Sequence, residues 1–406
     1  LGVGGSIPIY SKRYYTAYDF EQSTLTPPLS SGPYKVGKHA VGRFVEYHKV
    51  DDYWANDLPV LRGQKNFQIV RVEFFRERQV AFEAFKKGTV RYREEFSSKN
   101  WATEYNFPAV EDGRVVTKVF PDGRPSGAQG WFLNTRREKF KDPRVREALG
   151  YAFDFEWSNK NLFYDLYQRT QSYFENSEMK AEGVPQGAEL ALLEPYRDQL
   201  PEAVFGETVT PPVSDGSGFD RGLLRRANEL LREAGYTRDG SNLVGPDGKP
   251  FTIEFLNNTT SFERIVNPFI KNLKRLGVDA TFRVVDGAQY QARLNEFDFD
   301  IASRRFAFSA TLSDPIREYW TTRSASVPGS SNLAGISDPV IDALTDKVLA
   351  AQSKEEMVTA ARAIDRVLRA GYYWIPQWYK NTYTVAYYDL FARPETPAPY
   401  ALGEMD

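Results

Sequence analysis

Catalysis by metal, nucleophile or paired acids each leaves a different trace in a sequence. Only two histidines occur, His39 and His48, and their separation matches no zinc-binding pattern of the H-E-x-x-H kind. Metal catalysis is therefore not expected. The chain has no cysteine, which excludes disulfides, thiolate metal sites and a cysteine nucleophile. No G-x-S-x-G elbow occurs, and "GVGGS" at 2–6 fits neither that pattern nor the dinucleotide-binding G-x-G-x-x-G. Adjacent carboxylates such as Asp51 and Asp52, or Glu94 and Glu95, could serve a glycosidase. Among 54 acidic residues, however, adjacency arises by chance, and these pairs read as solvated surface. The expectation is a binding protein that needs no cofactor.

The stretch best suited to binding is 304–315, "RRFAFSATLSDP". In an extended segment Arg304, Phe306 and Phe308 share one face, and Arg305, Ala307 and Ser309 the other. Such a cationic, aromatic face could meet nucleic acid or a small ligand. Lys and Arg total 52 against the 54 acids, for a net charge of −2, and no basic stripe is present. Nucleic acid is thus not an expected partner. Aromatic residues make up 15% of the chain, with 24 Tyr, 28 Phe and 7 Trp, which suits either a ligand-lined cleft or a large aromatic core.

The elements that must position these residues are legible by periodicity. Residues 33–50 read as two short strands, "VRVEFF" at 70–75 as a third, and the following segment as a helix with Val80, Ala81, Ala84 and Phe85 inward, stopped at Gly88. "WFLNT" at 131–135 reads as a strand, and Asp142-Pro143 opens a helix. The segment 180–218 reads as an irregular surface excursion. Leu223, Ala227, Leu230 and Ala234 mark an amphipathic helix, and "NLVGPDGKPFTIEFL" reads as a hairpin. Strand 251–256, helix 262–276, strand 279–285, helix 287–295 and strand 298–303 then alternate, which predicts an α/β fold. Pro268 argues against the first half of that helix. Asp338-Pro339 and the capping box "SKEE" at 353–356 open two more helices, and strand character returns near the end. No run of about 18 apolar residues appears. At 406 residues the chain is long enough for two or three lobes.

The order of "SGPYKV" (31–36), "DDYW" (51–54), "VRVEFFRERQVAFEAFKKGTV", "FLNTRREKFKDPRVREALGYAFD" (132–154), "ANELLREAGY" (227–236), "LKRLGVDATFRVVD" (273–286) and "FDFDI" (297–301) resembles the family-5 extracellular solute-binding proteins of ABC importers. The C-terminal third, with "PGSSNLAGISDPVIDALTDKVLAAQSKEEM" and "YYWIPQWYKNTYTVAYYDLFARP", is similar to the Yej-type subgroup of oligopeptide, microcin C and muropeptide receptors. The resemblance implies a two-lobed periplasmic-binding-protein fold (Venus-flytrap, type II, cluster C). It also implies a monomeric periplasmic receptor that closes on a peptide or modified peptide and delivers it to an inner-membrane ABC permease. Lobe I would comprise 1–118 and lobe II 119–375, with 376–406 crossing back, and the hinge would lie near Val119–Pro121 and Ile375–Trp378. Family members carry a long segment ahead of "SGPYKV", so the N-terminal part of lobe I is expected to be missing here.

By the same resemblance, residues 304–315 form a loop against the peptide, with Arg304 and Arg305 for carboxylates and Phe306 and Phe308 for apolar groups. The competing reading pairs the arginines with Asp298 and Asp300 and buries the rings. Where oligopeptide receptors hold the peptide α-amine with an aspartate, this chain has Thr311, which cannot form that ion pair. A ligand with a blocked N-terminus is thereby implied, as in formylated microcin C or a muropeptide. Asp314 could substitute, or could cap the next helix. Asn134, Tyr290, Trp320, Trp374, Trp378 and Tyr379 complete the expected ligand-binding set. An oligosaccharide receptor, or a glycoside or peptide hydrolase, is the alternative.

Overall fold

The computed structural model describes residues 10–18 and 25–392. The glycine-rich start at 2–6 and the Pro-rich tail from residue 393 lie outside the described residues. The chain divides into two units. The larger comprises Phe96–Glu104 and Pro121–Tyr383; the smaller comprises the described residues up to Glu95, Tyr105–Phe120 and those from Thr384 onward.

In the larger unit, strands β1 (Ala128–Leu133), β2 (Thr252–Asn257), β3 (Asp279–Val284), β4 (Ile301–Phe306) and β5 (Trp374–Pro376) form one sheet in the order β3-β2-β4-β1-β5. The β2 strand pairs in parallel with β3 and β4, whereas β1 runs antiparallel to β4 and β5. Both faces are buried, so alternate residues of one strand enter different cores. Trp131 and Leu133 join Ile253, Phe255, Ile301 and Ile375 on one side. Ala128 and Phe132 join Leu256, Ala302, Phe306 and Trp374 on the other. Helices cover the first side with α1 (Pro143–Tyr151), α2 (Arg221–Glu233) and α3 (Glu263–Arg275). The second side carries α4 (Gly287–Asn295), α5 (Pro339–Ala350) and α6 (Lys354–Ala370).

Side chains satisfy the helix starts as the sequence anticipates. Asp142 accepts from Arg144 N, Asp220 from Leu223 N, Asp338 from Val340 N and Ser353 from Glu356 N. The capping box differs in one bond: Glu356 reaches past Ser353 to accept from Gln352 N at 2.8 Å. The α3 helix runs unbroken through Pro268. Burial of Ile265, Val266, Phe269, Ile270 and Leu273 there outweighs the one missing donor. On α2 the buried stripe is Leu224, Ala227, Leu230 and Leu231, turned slightly from the predicted face. The excursion 180–218 contains a helix, Gly187–Leu193, and two 3₁₀ turns. The predicted hairpin keeps its turn, with Gly248 N donating to Gly245 O, and its arms meet through the Val244–Pro250 bridge and Phe251 N donating to Leu243 O at 2.8 Å, while Asn242–Val244 also pairs with Thr237–Asp239.

The smaller unit contains the antiparallel sheet Tyr34–Ala40, Phe44–Lys49, Ile69–Glu73 and a second sheet in which Val385–Tyr387 pairs with Tyr92–Glu94. Its helix Arg78–Lys86 buries Phe82 and Phe85, whereas Val80, expected inward, is exposed. The two rings meet Phe107 and Tyr105 edge-on or tilted, which draws the helix one position round from its aliphatic stripe. Among the described residues no helix is long and apolar enough to cross a membrane.

Candidate ligand-binding site

The β4 strand sets the geometry of the 304–315 stretch. Its predicted start at 298 moves to Ile301, because Asp298 and Asp300 are occupied elsewhere: Asp298 by Arg137 and Arg293, Asp300 by Lys139 at 2.8 Å. The arginines therefore do not pair with these acids. Arg304 is exposed and makes no side-chain hydrogen bond or ion pair with a described residue. Arg305 is exposed too, and its Nε makes only a long contact with Ser126 O at 3.4 Å. In this stretch two guanidinium groups face solvent with their donors largely unspent.

The rings behave differently. Phe306 is 8% exposed and enters the second core, and Phe308 packs against the same core. Phe306 meets Phe132 and Tyr319, while Phe308 meets Phe174, Tyr319 and Trp320 at centroid distances of 5.1–5.5 Å. Trp320 is 2% exposed. Tyr173 lies between Trp320 and Trp374, and Trp374 stacks on Phe132 at 5.6 Å. One continuous aromatic cluster thus joins four expected residues, Phe306, Phe308, Trp320 and Trp374, through Phe132, Tyr173, Phe174 and Tyr319. Only Phe308 and Tyr319 keep appreciable exposure.

The loop beyond β4 leaves Thr311 exposed, with Ser309 Oγ donating to its carbonyl, and anchors through Leu312 N on Met357 Sδ. Asp314 does not cap the next element. Ser313 stands at that position without a side-chain bond, and Asp314 begins the 3₁₀ turn Asp314–Ile316 with its carboxylate exposed. Behind the strand, Tyr290 is buried and its hydroxyl donates to Ser303 O at 2.9 Å. Burial pushes the Tyr290 phenol up, and the nearby Arg304 charge opposes that push.

Two expected residues lie apart from this group. Trp378 packs on the other side of the sheet, with Phe163 at 4.5 Å and Phe262 stacked at 6.2 Å. Tyr379 is half-buried and its hydroxyl donates to Gln168 Oε1 at 2.8 Å. Asn134 is fully buried and saturated. Its Nδ2 donates to Phe297 O and Phe299 O, both at 2.9 Å, and its Oδ1 accepts from Arg136 N and Nη1. Arg136 lies on the Phe297 ring at 3.6 Å and binds the carbonyls of Ala325, Asn332 and Leu333; burial lowers its pKa to about 10. Asn134 and Arg136 together tie β1 to two distant loops. Sequence reasoning missed Tyr173, Phe174 and Tyr319, whose only signal was membership of aromatic-rich stretches.

Among the described residues no group of three or more His, Asp or Glu could hold a metal ion. The stretch offers two exposed cations at the end of β4 and a half-buried ring, Phe308, just beyond it, which is chemistry that could meet an acidic, partly apolar solute.

Comparison with solved structures places the chain in the periplasmic-binding-protein fold. AppA of Bacillus subtilis, solved with a nonapeptide, superposes with a TM-score of 0.64 at 15% identity, covering 88% of this chain and 62% of AppA. That likeness shows the fold alone. Residues 5–327 match the bacterial extracellular solute-binding proteins, family 5 (middle), and the chain belongs to that family. The "Probable peptide-binding protein YejA" of Agrobacterium fabrum is 42% identical over 391 residues, 96% of this chain and 64% of the relative. The "Peptidoglycan-binding protein YepA" of the same organism is 36% identical over 403 residues, 97% of this chain and 66% of the relative. The chain thus spans less than two thirds of the length of these relatives.

Proposed function

We propose that this chain serves in a periplasmic receptor of an ABC importer, capturing oligopeptides or modified peptides and passing them to an inner-membrane permease. The observation that carries the reading is the 42% identity over 391 residues with a relative named as peptide-binding. The 304–315 stretch supports it: Arg304 and Arg305 are exposed near the end of β4 with donors largely unspent, and Phe308, two residues beyond the strand, meets Tyr319 edge-on. A guanidinium can take a peptide carboxylate through two parallel bonds. The receptor acts as a monomer and without catalysis, with lobe boundaries at 1–118, 119–375 and 376–406. Arg304, Arg305, Phe308, Thr311 and Asp314 are the ligand contacts of this reading, and Tyr379 contributes from its own strand. The core rings Phe306, Trp320 and Trp374 back the loop.

The relative named as peptidoglycan-binding favours, within this reading, murein peptides or other peptides joined at the N-terminus to another group. Thr311 brings no charge to an α-amine, and such ligands have no free amine to satisfy. Titration calorimetry with an N-formylated peptide and its free-amine counterpart tests this. Equal or tighter binding of the formylated form is expected. Binding of oligosaccharides with no response to either peptide overturns the reading.

A further inference from the structure

Three arginines line one cleft that lies wholly within the larger unit: Arg146, Arg169 and Arg369. Two of them are fully occupied. Arg146 donates to the carbonyls of Gly371, Phe140 and Lys141 at 2.6–2.9 Å. Arg369 donates to Val209 O and Ala181 O and pairs with Asp365 at 3.2 Å.

Arg169 is different. Its Nε and Nη1 are buried with no acceptor among the described residues, and no salt bridge joins it to a described acid. Two acids, Glu156 and Asp154, act on it through space, and both are committed elsewhere. Asp154 accepts from Trp157 N and Gly218 N, both at 2.8 Å, and Glu156 accepts from Ser214 N at 2.9 Å. The guanidinium lies over the Phe153 ring at 4.7 Å and within 5.5 Å of Phe155. Ring faces offset only part of the cost of desolvating a cation, and a buried charge without an acceptor is ordinarily compensated.

The cleft selects among compensating anions. Its walls include Trp374, Pro376, Pro211 and Pro212, which suit an organic carrier. Glu147, which holds the Tyr151 hydroxyl at 2.8 Å, lies on the same lining and disfavours a dianion more than a monoanion. Gln171 also lines it, with Oε1 held by Lys180 Nζ at 3.2 Å, so its amide nitrogen remains a donor.

We propose that Arg169 anchors a site for a carboxylate-bearing group in the cleft beside Trp374. The site goes beyond the peptide reading: Arg169, Glu147 and Gln171 belong to other elements than the 304–315 stretch, and only Trp374 reaches that stretch, through the shared aromatic core. The carboxylate belongs either to a free organic acid or to the end of a peptide, and the same planar chemistry serves both.

The test is thermal unfolding of the full chain at constant ionic strength with acetate, inorganic phosphate or chloride. A further pair of probes is N-acetyl-dialanine and its C-terminal amide. A saturable rise in Tm with acetate and with the acid, but not with phosphate, chloride or the amide, is expected. Acetate acting alone identifies the free acid as the source. Arg169→Met is expected to lose the response by at least about tenfold in apparent affinity, with an unchanged or higher Tm because a buried unpaired cation is gone. Should that variant fail to fold, Arg169→Lys takes its place, with the same loss expected from the missing fork. No response of the natural chain to any carboxylate overturns the proposal, and so does a response equal in the variants. Neither result bears on peptide capture by the 304–315 loop, which Arg304→Ala reads separately.

Discussion

Asn134 offers the sharpest separation of framework from binding surface. Its amide holds two backbone carbonyls, those of Phe297 and Phe299, and accepts two bonds from Arg136, all without exposure to solvent. In Asn134→Ala both carbonyls lose this donor where water has little access. A buried polar group left unmade costs about 1–3 kcal/mol, and Arg136 Nη1 retains Leu333 O, so the sum is about 3 kcal/mol. For a unit of this size each kcal/mol lowers Tm by roughly 2–4 °C, which gives a fall of about 10 °C. The assay is thermal unfolding by circular dichroism, paired with peptide titration below both transitions. The expected outcome is a large loss of stability with affinity within about twofold. An unchanged Tm with affinity reduced about tenfold would refute the reasoning and place Asn134 in the binding surface.

Arg304→Ala and Arg305→Ala should each weaken peptide binding while changing stability by no more than about 0.5 kcal/mol, since both side chains are exposed; a large stability loss with unchanged affinity in titration would make them structural. Gly127→Ala should cost at least about 2 kcal/mol in denaturant unfolding, because its φ is +69° and a new Cβ would lie 2.0 Å from Phe306 O; a neutral result would show that the end of β4 is free to move. Asp365 is fully buried, and burial raises its pKa despite Arg369. The folded state therefore holds its proton to higher pH than the unfolded chain does. The associated stability is present below the unfolded pKa and declines as pH rises through the folded one. Stability measured across that rise should fall, with a shallower slope in Asp365→Asn; identical slopes would count against it.

The period of two in β1 and β4, and the aspartate and serine caps of the helices, were legible because each is written within a few neighbouring residues. What escaped the sequence depends on partners far along the chain. Val80 was expected inward from helical spacing, but Phe82 won the core because Tyr105 and Phe107 meet its ring. Asn242–Val244 pairs with Thr237–Asp239 as well as meeting its expected hairpin arm, and that second edge has no signal within the turn itself. The 304–315 stretch was found by composition, yet which of its letters face water was not. The arginines do not pair with Asp298 and Asp300, because Arg137, Arg293 and Lys139 hold those acids. Arg169 gave no local signal at all, since its character comes from the rings and closed-off acids around it. Family order supplied the remainder, through segments that are each weak alone.

Native mass spectrometry bears most directly on peptide capture. The chain, incubated with a periplasmic extract and desalted gently, should carry an adduct that on collisional release gives fragment ions readable as peptide, with or without an attached N-terminal group. Release of carbohydrate ladders alone, or a spectrum with no adduct at all, would contradict the account.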